Sequence, residues 1–447
     1  MITTPLVALQ KPKDISLDEI ESELGKIWYT QTGDRTAATR ATTFSMVIYE
    51  PEEFQQLLAA LGFYQGPIDG IHGPQTKAAI VQAQQTFGLS ITGRVDPQTR
   101  DRLREEFAKQ PIDRVQVKNP NNRGFTVSDA IAVQNPCRII TLCPELGEDQ
   151  GVTAQVSAYC PVQRSSTNLI CCEYITLRGT KEALERVGDV VSSLLIEDLP
   201  KFVWWKATPN PEQELFRQLS ELCDCMILDS CYFSEPESEF LKMQELIEGR
   251  TYVADLNWHR LQPWLELTAA AFDPPERREA LAEVDRVSID YEKGNNAQAL
   301  MYLGWLASRL NWEPISAVEA GGDYDLKLMH FKGENGRAIE AELAAIPMAD
   351  WGEIPGDLVG LRLTSTNTEA NCCTILCSET MGCMRMEAGG TAQSCRTEQV
   401  SALSDQKAEF LLAQQLQRWG QDVLYEESLA VAAGILKTET ARMGQAV

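Results

Sequence analysis

Continuous apolar runs alternate with amphipathic stretches on both sides of a single interruption, and this pattern narrows the possible folds more than any other feature. "TTFSMVIYE" (42–50), rich in β-branched and aromatic residues, reads as a strand. So do "CRIITLC" (137–143), "VTAQVSAYC", "LICCEYITL", "PKFVWWKA" (200–207) and "MILDS". Among them "VSDAIAVQ", "TKEALERVGDVVSSLL" and "EQELFRQLSELC" read as helices. Strands apolar on both faces and separated by helices predict a mostly parallel sheet covered on both sides. Residues 14–28, "DISLDEIESELGKIW", predict a leading helix with Ile15, Ile20, Leu24 and Ile27 near one face.

The interruption runs from Pro51 to about Gln110. "EEFQQLLAALGFY" and "PQTKAAIVQAQQTFGL" repeat apolar residues at helical spacing, and "TGRVDPQTRDRLREEF" adds a third helix capped by Asp96 with Pro97 at its first position. Asp69-Gly70 and His72-Gly73-Pro74 supply turn chemistry. Neither flank alone completes a sheet, so the three-helix unit is expected as an insertion into one α/β domain. Such an insertion costs little when its ends lie close together. The expected organisation is an α/β domain over 14–50 and 111–275, the insertion over 51–110, and a C-terminal α+β domain over 276–447. Residues 255–272 read as helix and "DPPERREALAEVD" as an exposed connector. The last domain opens with the helix "NNAQALMYLGWLASRLNW" (295–312) and continues through "YDLKLMHF", "RAIEAELAAI" and "DLVGLRLTS" as strands. The cysteine-rich "NCCTILCSETMGCMRME" follows, and a long helix over about 404–436 closes it.

The chain carries 40 Lys and Arg against 64 Asp and Glu, a net charge of −24. That surface repels phosphate backbones and anionic lipid, so neither nucleic acid nor membrane is an expected partner. No stretch approaches the ~20 apolar residues of a membrane span. The start "MITTPLVALQKPKD" lacks the charged and apolar regions of a secretory signal, so the expected location is the cytoplasm. Thiols there are reduced, and the 13 cysteines are not expected to form a disulfide scaffold. With 3 histidines and no Cys-x-x-Cys pair, no metal site is expected.

Cysteines six apart occur as Cys137/Cys143, Cys225/Cys231 and Cys377/Cys383. The first pair brackets a strand that holds its thiols ~20 Å apart, beyond the ~7 Å Cα separation a disulfide tolerates. Cys377 and Cys383 enclose "SETMG", which can turn back on itself, so they are the candidate redox switch. The competing reading makes these cysteines inert small hydrophobes.

No phosphate loop, dinucleotide fingerprint, zinc-protease helix or nucleophile elbow occurs, so no catalytic residue and no cofactor is predicted. Trp204, Trp205 and Lys206 end one strand, Asp229 and Ser230 end another, and Asp255, Trp258 and His259 open a helix. Ligands of open α/β sheets bind at strand carboxyl ends, and Trp favours interface hot spots. Alternation sends Trp204 and Trp205 to opposite faces, leaving one for a partner. These residues form either one polar pocket or separate, internally satisfied turns.

Two resemblances follow from longer motifs. "LLAALGFYQGPIDGIHGPQTKAAIVQAQQTFGLSITGRVDPQT" resembles the peptidoglycan-binding-like domain across 51–107, departing at His72, where a hydrophobic residue is common. The rest resembles the OpcA family of glucose-6-phosphate dehydrogenase assembly proteins in its cyanobacterial form. It does so through "TRATTFSMVIYE", "NPCRIITLCP", "LPKFVWWKATP", "LDS" at 228–230 and "DLNWHRLQPWLELTAAAFDPP". The family resemblance implies a non-catalytic protein of the oxidative pentose phosphate pathway. Such a protein binds glucose-6-phosphate dehydrogenase, promotes its active oligomer and raises its activity as an allosteric activator. It also implies a link to thioredoxin and redox control. Two rivals stand beside it: a sugar-phosphate-binding or hydrolase-like enzyme using Asp229, Ser230 and His259, and a cell-wall (peptidoglycan) binding protein.

Overall fold

A computed structural model describes residues 6–31, 38–40, 42–51, 53–65, 74–93, 95, 97–109, 136–145, 148–161, 169–233, 235–347, 354, 356–367, 369–370, 372–379, 383–389, 396–402, 408–418 and 420–443. The chain forms two compact units, Met1–Leu228 with Thr251–Val253, and Asp229–Arg250 with Ala254–Val447. The division therefore falls at Leu228, ahead of the residue-275 boundary that the sequence predicts, and the helix after Asp255 belongs to the second unit.

The first unit is built on the predicted strands: β3 (Ser45–Tyr49), β4 (Arg138–Pro144), β5 (Thr153–Pro161), β6 (Leu169–Gly179), β7 (Lys201–Trp205) and β8 (Cys225–Leu228). Two strands precede them, β1 (Leu6–Ile15) and β2 (Ala38–Arg40). The sheet runs β1-β5-β6-β4-β3-β7-β8-β9, with β2 beside β6 and the short strand β9 (Val253–Asp255) at the edge next to β8. Strands β6, β4, β3, β7 and β8 are parallel, and β5 and β1 extend the sheet antiparallel. Every residue of β3 and β8 is buried, the signature of a strand covered on both faces. The covering helices include α1 (Ile20–Gln31), α5 (Lys181–Leu184), α6 (Gly188–Leu194) and α7 (Glu214–Leu222). The helix predicted from residue 14 starts only at Ile20. Residues 6–15 instead pair with β5 at the sheet edge, where Pro12 is tolerated because that strand side needs no ladder donor.

Between β3 and its parallel neighbour β4 the chain inserts α2 (Glu53–Ala60), α3 (Pro74–Phe87) and α4 (Pro97–Ala108). Phe54, Leu57, Leu58, Ile80, Ala83, Leu103 and Phe107 give this insertion a core of its own. Gln84 is fully buried there. Its amide nitrogen donates to the Thr92 and Thr99 hydroxyls at 2.8 and 3.0 Å, while its oxygen accepts from the Thr92 and Gly93 N–H groups at 3.0 Å each. The turn bearing Asp69, Gly70 and His72, and the predicted helix "VSDAIAVQ", lie outside the described residues.

The second unit carries α8 (Pro236–Glu248), α9 (Leu256–Ala271), α10 (Pro275–Ala280) and α11 (Ala297–Arg309). Its sheet comprises β10 (Arg286–Glu292), β11 (Glu313–Gly321), β12 (Leu326–Lys332), β13 (Ala338–Ile346), β14 (Leu358–Thr364), β15 (Cys373–Glu379), β16 (Cys383–Gly389) and β17 (Arg396–Ala402). The order is β11-β12-β13-β10-β14-β15-β16-β17, antiparallel except for β10 with β13. Burial alternates residue by residue along β10, so one face is packed and the other meets water. The closing segment is two helices, α12 (Ala408–Gln415) and α13 (Val423–Met443), in place of the single long helix predicted. The α/β unit, its helical insertion and the α+β unit match the predicted fold class.

Candidate functional site

In the first unit, Tyr49 and Trp205 are register partners at the carboxyl ends of β3 and β7. Their rings stack with centroids 3.8 Å apart and planes 8° from parallel. Phe216 of α7 meets Trp205 edge-on at 4.9 Å, and the indole N–H donates to the Thr208 carbonyl at 3.2 Å. One residue further along, Lys206 pairs with Glu50 and sits 4.8 Å over the Trp204 ring. This is the end of the sheet where open α/β folds take ligands. Here it holds an aromatic stack and an ion pair, and β3 leads through Glu50-Pro51 into the insertion.

Trp204 and Trp205 are 3% and 1% exposed, so neither is the surface contact that strand alternation predicts. Alternation does separate them, but both faces of this sheet are covered. Of the three, Lys206 alone reaches solvent.

In the second unit, Asp229, Ser230, Asp255 and the first turns of α9 form a buried polar knot. Arg260 holds Asp229 with two hydrogen bonds, at 2.6 and 2.9 Å, and both side chains are buried. Asp255 caps α9, its Oδ1 accepting from the N–H groups of Asn257 at 2.9 Å and Ser230 at 3.0 Å. The Asn257 amide donates to the Ser230 hydroxyl at 3.1 Å. Asn295 donates to the carbonyls of Ser230, Cys231 and Phe233, and Gln298 donates to Asn257 and Asp357. Burial, and then the charge of Asp229, push the Asp255 carboxyl up to about 6.

His259 faces elsewhere. Its Nε2 lies 2.7 Å from the Gln415 side-chain oxygen and its Nδ1 3.3 Å from the Arg418 guanidinium. Nε2 is therefore the protonated nitrogen, and burial lowers the ring's pKa, favouring the neutral form. Trp258 donates from its indole to Asp422 at 3.0 Å. The Asp229–Ser230–His259 grouping of the enzyme rival is not assembled: Ser230 is bound by Asn257, Asp229 by Arg260, and His259 by α12. Asp229, Ser230, Asp255, Trp258 and His259, which the sequence offers as partner or ligand contacts, are all buried. Apart from Asp255 Oδ2, which has no hydrogen-bond partner among the described residues, their side-chain polar atoms are engaged inside the fold. Of the residues that engage them, Arg260 lies within the "DLNWHR" stretch but is not singled out there, and Asn295 and Gln298 carry no motif of their own.

Cys377 lies in β15 opposite Arg385, and Cys383 in β16 opposite Glu379. They are diagonal neighbours in one antiparallel hairpin, whose turn, 380–382, lies outside the described residues. A disulfide does occur elsewhere, between Cys160 and Cys171, against the expectation of reduced thiols throughout. Spacing alone misses it because the partners are 11 apart and meet only when β5 folds onto β6. Among the described residues no group of His, Cys, Asp and Glu is placed to hold a metal, and no helix is long and apolar enough to cross a membrane.

A parallel α/β unit with a helical insertion, followed by an α+β unit with an eight-stranded sheet, defines a multidomain architecture rather than a recognisable catalytic centre. Family models match it in three places. Two describe the N-terminal and C-terminal domains of a glucose-6-phosphate dehydrogenase subunit, over 128–245 and 251–429 respectively. The third describes a putative peptidoglycan binding domain, over 50–103. The chain is 58% identical to the "Putative OxPP cycle protein OpcA" of Synechococcus elongatus, over 98% of this chain and 99% of that one. The protein of the same name from Nostoc punctiforme is 56% identical over 97% of this chain and 96% of its own length. The chain belongs to the OpcA family of glucose-6-phosphate dehydrogenase assembly proteins.

Proposed function

We propose that this protein binds glucose-6-phosphate dehydrogenase and acts on it without catalysing a reaction of its own, in the cytoplasm. It favours one conformational or oligomeric state of the dehydrogenase, as an allosteric activator and assembly factor. An effector shifts such an equilibrium only by its differential affinity, typically a coupling of ~1–3 kcal/mol. The observation that carries the non-catalytic reading is the commitment of Asp229, Ser230 and His259 to separate buried partners. Their chemistry is spent inside the fold.

Redox control through Cys377 and Cys383, with thioredoxin as the reductant, completes the reading. Joining diagonal positions of a hairpin would pull β15 and β16 together at their shared turn and change that end of the second sheet. A diagonal Cα separation of ~7–8 Å sits just above what a disulfide spans, so the bond requires local movement. Lys206, which keeps access to solvent, is a candidate contact in the first unit.

The test is a titration of this protein into purified dehydrogenase, with rate, KM and oligomer mass followed for reduced and oxidised samples. A change in rate or mass that saturates with added protein supports the proposal; no response in either state rejects it. A Cys377→Ser/Cys383→Ser variant that still responds fully to oxidant rejects the switch alone.

A further inference from the structure

The Cys160–Cys171 bond lies where four strands meet. From Thr153↔Arg178 to Tyr159↔Cys172, β5 and β6 form an unbroken antiparallel ladder, and the disulfide joins the next opposed pair. The two Cα atoms are 4.1 Å apart, the close approach of a narrow cross-strand pair. Cys160 is also the register partner of Val7 in β1, and Cys171 of Arg40 in β2. The bond thus ties together the two positions at which the N-terminal strands join the sheet.

Those strands are its most weakly specified parts. β1 is an edge strand whose register shifts twice, between Ala8 and Gln10 and between Gln10 and Lys13, and β2 comprises three residues. The central strands hold by burial on both faces and need no covalent help. A staple compensates for a missing core in small secreted domains; this unit has a core, so the bond acts where the core is thinnest. Cys172 extends to the opposite face of the sheet, as strand alternation requires. There its thiol meets that of Cys137, which burial and this contact hold in the protonated form. The thiol next in sequence to the disulfide is therefore engaged on the other side of the sheet.

We propose that Cys160–Cys171 is a reversible dithiol/disulfide site that fastens β1 and β2 to the first sheet. It is distinct from Cys377/Cys383 and independent of the dehydrogenase. A thiolate of an external dithiol attacks one sulfur, the S–S bond breaks, and the other sulfur leaves and takes up a proton. The second thiol of the reductant then resolves the mixed disulfide. The protein gains two electrons and two protons, and the reductant departs as a disulfide. Both sulfurs are buried, so attack follows local opening of the strand ends.

The experiment uses the full chain carrying Cys377→Ser and Cys383→Ser, alone, with dithiothreitol as reductant. Peptide mass after thiol trapping reads the state of Cys160 and Cys171; hydrogen exchange reads the strands. Reduction of the pair without denaturant should raise exchange over 6–15 and 38–40 by about tenfold while β3 and β7 stay unchanged. Adding Cys160→Ser and Cys171→Ser should reproduce that pattern without reductant. The proposal is overturned if the pair resists dithiothreitol in the folded protein, or if the reduced pair leaves exchange at 6–15 and 38–40 unchanged. Reduction of the intact pair decides the matter even where the serine variant does not fold.

Discussion

Tyr49 and Trp205 stack face to face at 3.8 Å across the carboxyl ends of two adjacent parallel strands. The site that a doubly wound sheet ordinarily offers a ligand is here part of the core. Replacing Trp205 by Ala removes the stack, the edge contact with Phe216 and the hydrogen bond to Thr208 together. The expected loss is about 3–5 kcal/mol, read as a fall in the urea midpoint. Trp205→Phe should lose markedly less, because it keeps a ring against Tyr49.

Arg260 and Asp229 satisfy each other out of water, so removing either partner strands a buried charge. Arg260→Met and Asp229→Asn should each destabilise by about 3–5 kcal/mol. The double variant should cost well under the sum, because the second change removes the charge that the first left unpaired. Additive losses in urea unfolding would show that the two groups are not coupled.

The strands of the first unit are legible because parallel strands buried on both faces write themselves as continuous apolar runs, and "CRIITLC" and "PKFVWW" are such runs. β1 is not: "LVALQKPKDI" mixes apolar with charged residues and Pro, and only an edge position makes that acceptable. In the second unit β10, "RVSIDYE", alternates as a half-solvated strand should, yet that short pattern is easily passed over between a segment read as an exposed connector and the strong helical signal from residue 295. The candidate residues are legible as a group but not in role. "LDS" and "DLNWHR" are conspicuous because buried polar groups need specific partners, and sequence does not show whether those partners are ligands or neighbours. Asp229 meets Arg260, thirty-one residues away, and His259 meets Gln415; only the folded chain reveals such pairings.

Gln84 is the hub of the insertion. Gln84→Ala removes the Gly93 N–H group's acceptor and one of two for the Thr92 N–H, which also donates to the Ser90 carbonyl, a cost of about 1–3 kcal/mol confined to that module. Limited proteolysis should cut the variant within 51–110 well before the rest of the chain, while far-ultraviolet dichroism changes little. Simultaneous loss of both units would show that the insertion does not carry its own core.

Asp255 gives the second unit a pH dependence of defined sign. Its folded pKa of about 6 lies above the ordinary 3.8, so between those values the folded chain holds a proton that the unfolded chain has released. Stability therefore falls as pH rises through this window, by about 3 kcal/mol in all, and stays reduced above it. Asp255→Asn keeps an acceptor for the Ser230 and Asn257 N–H groups but cannot ionise. Asp290 and Glu426, which burial also pushes up, titrate in both proteins and cancel in the comparison. The variant should match the parent near pH 4 and exceed it by up to about 3 kcal/mol near pH 8. Urea unfolding across that range measures the gap directly. A constant gap at every pH would assign the effect to packing and remove Asp255 as the titrating group.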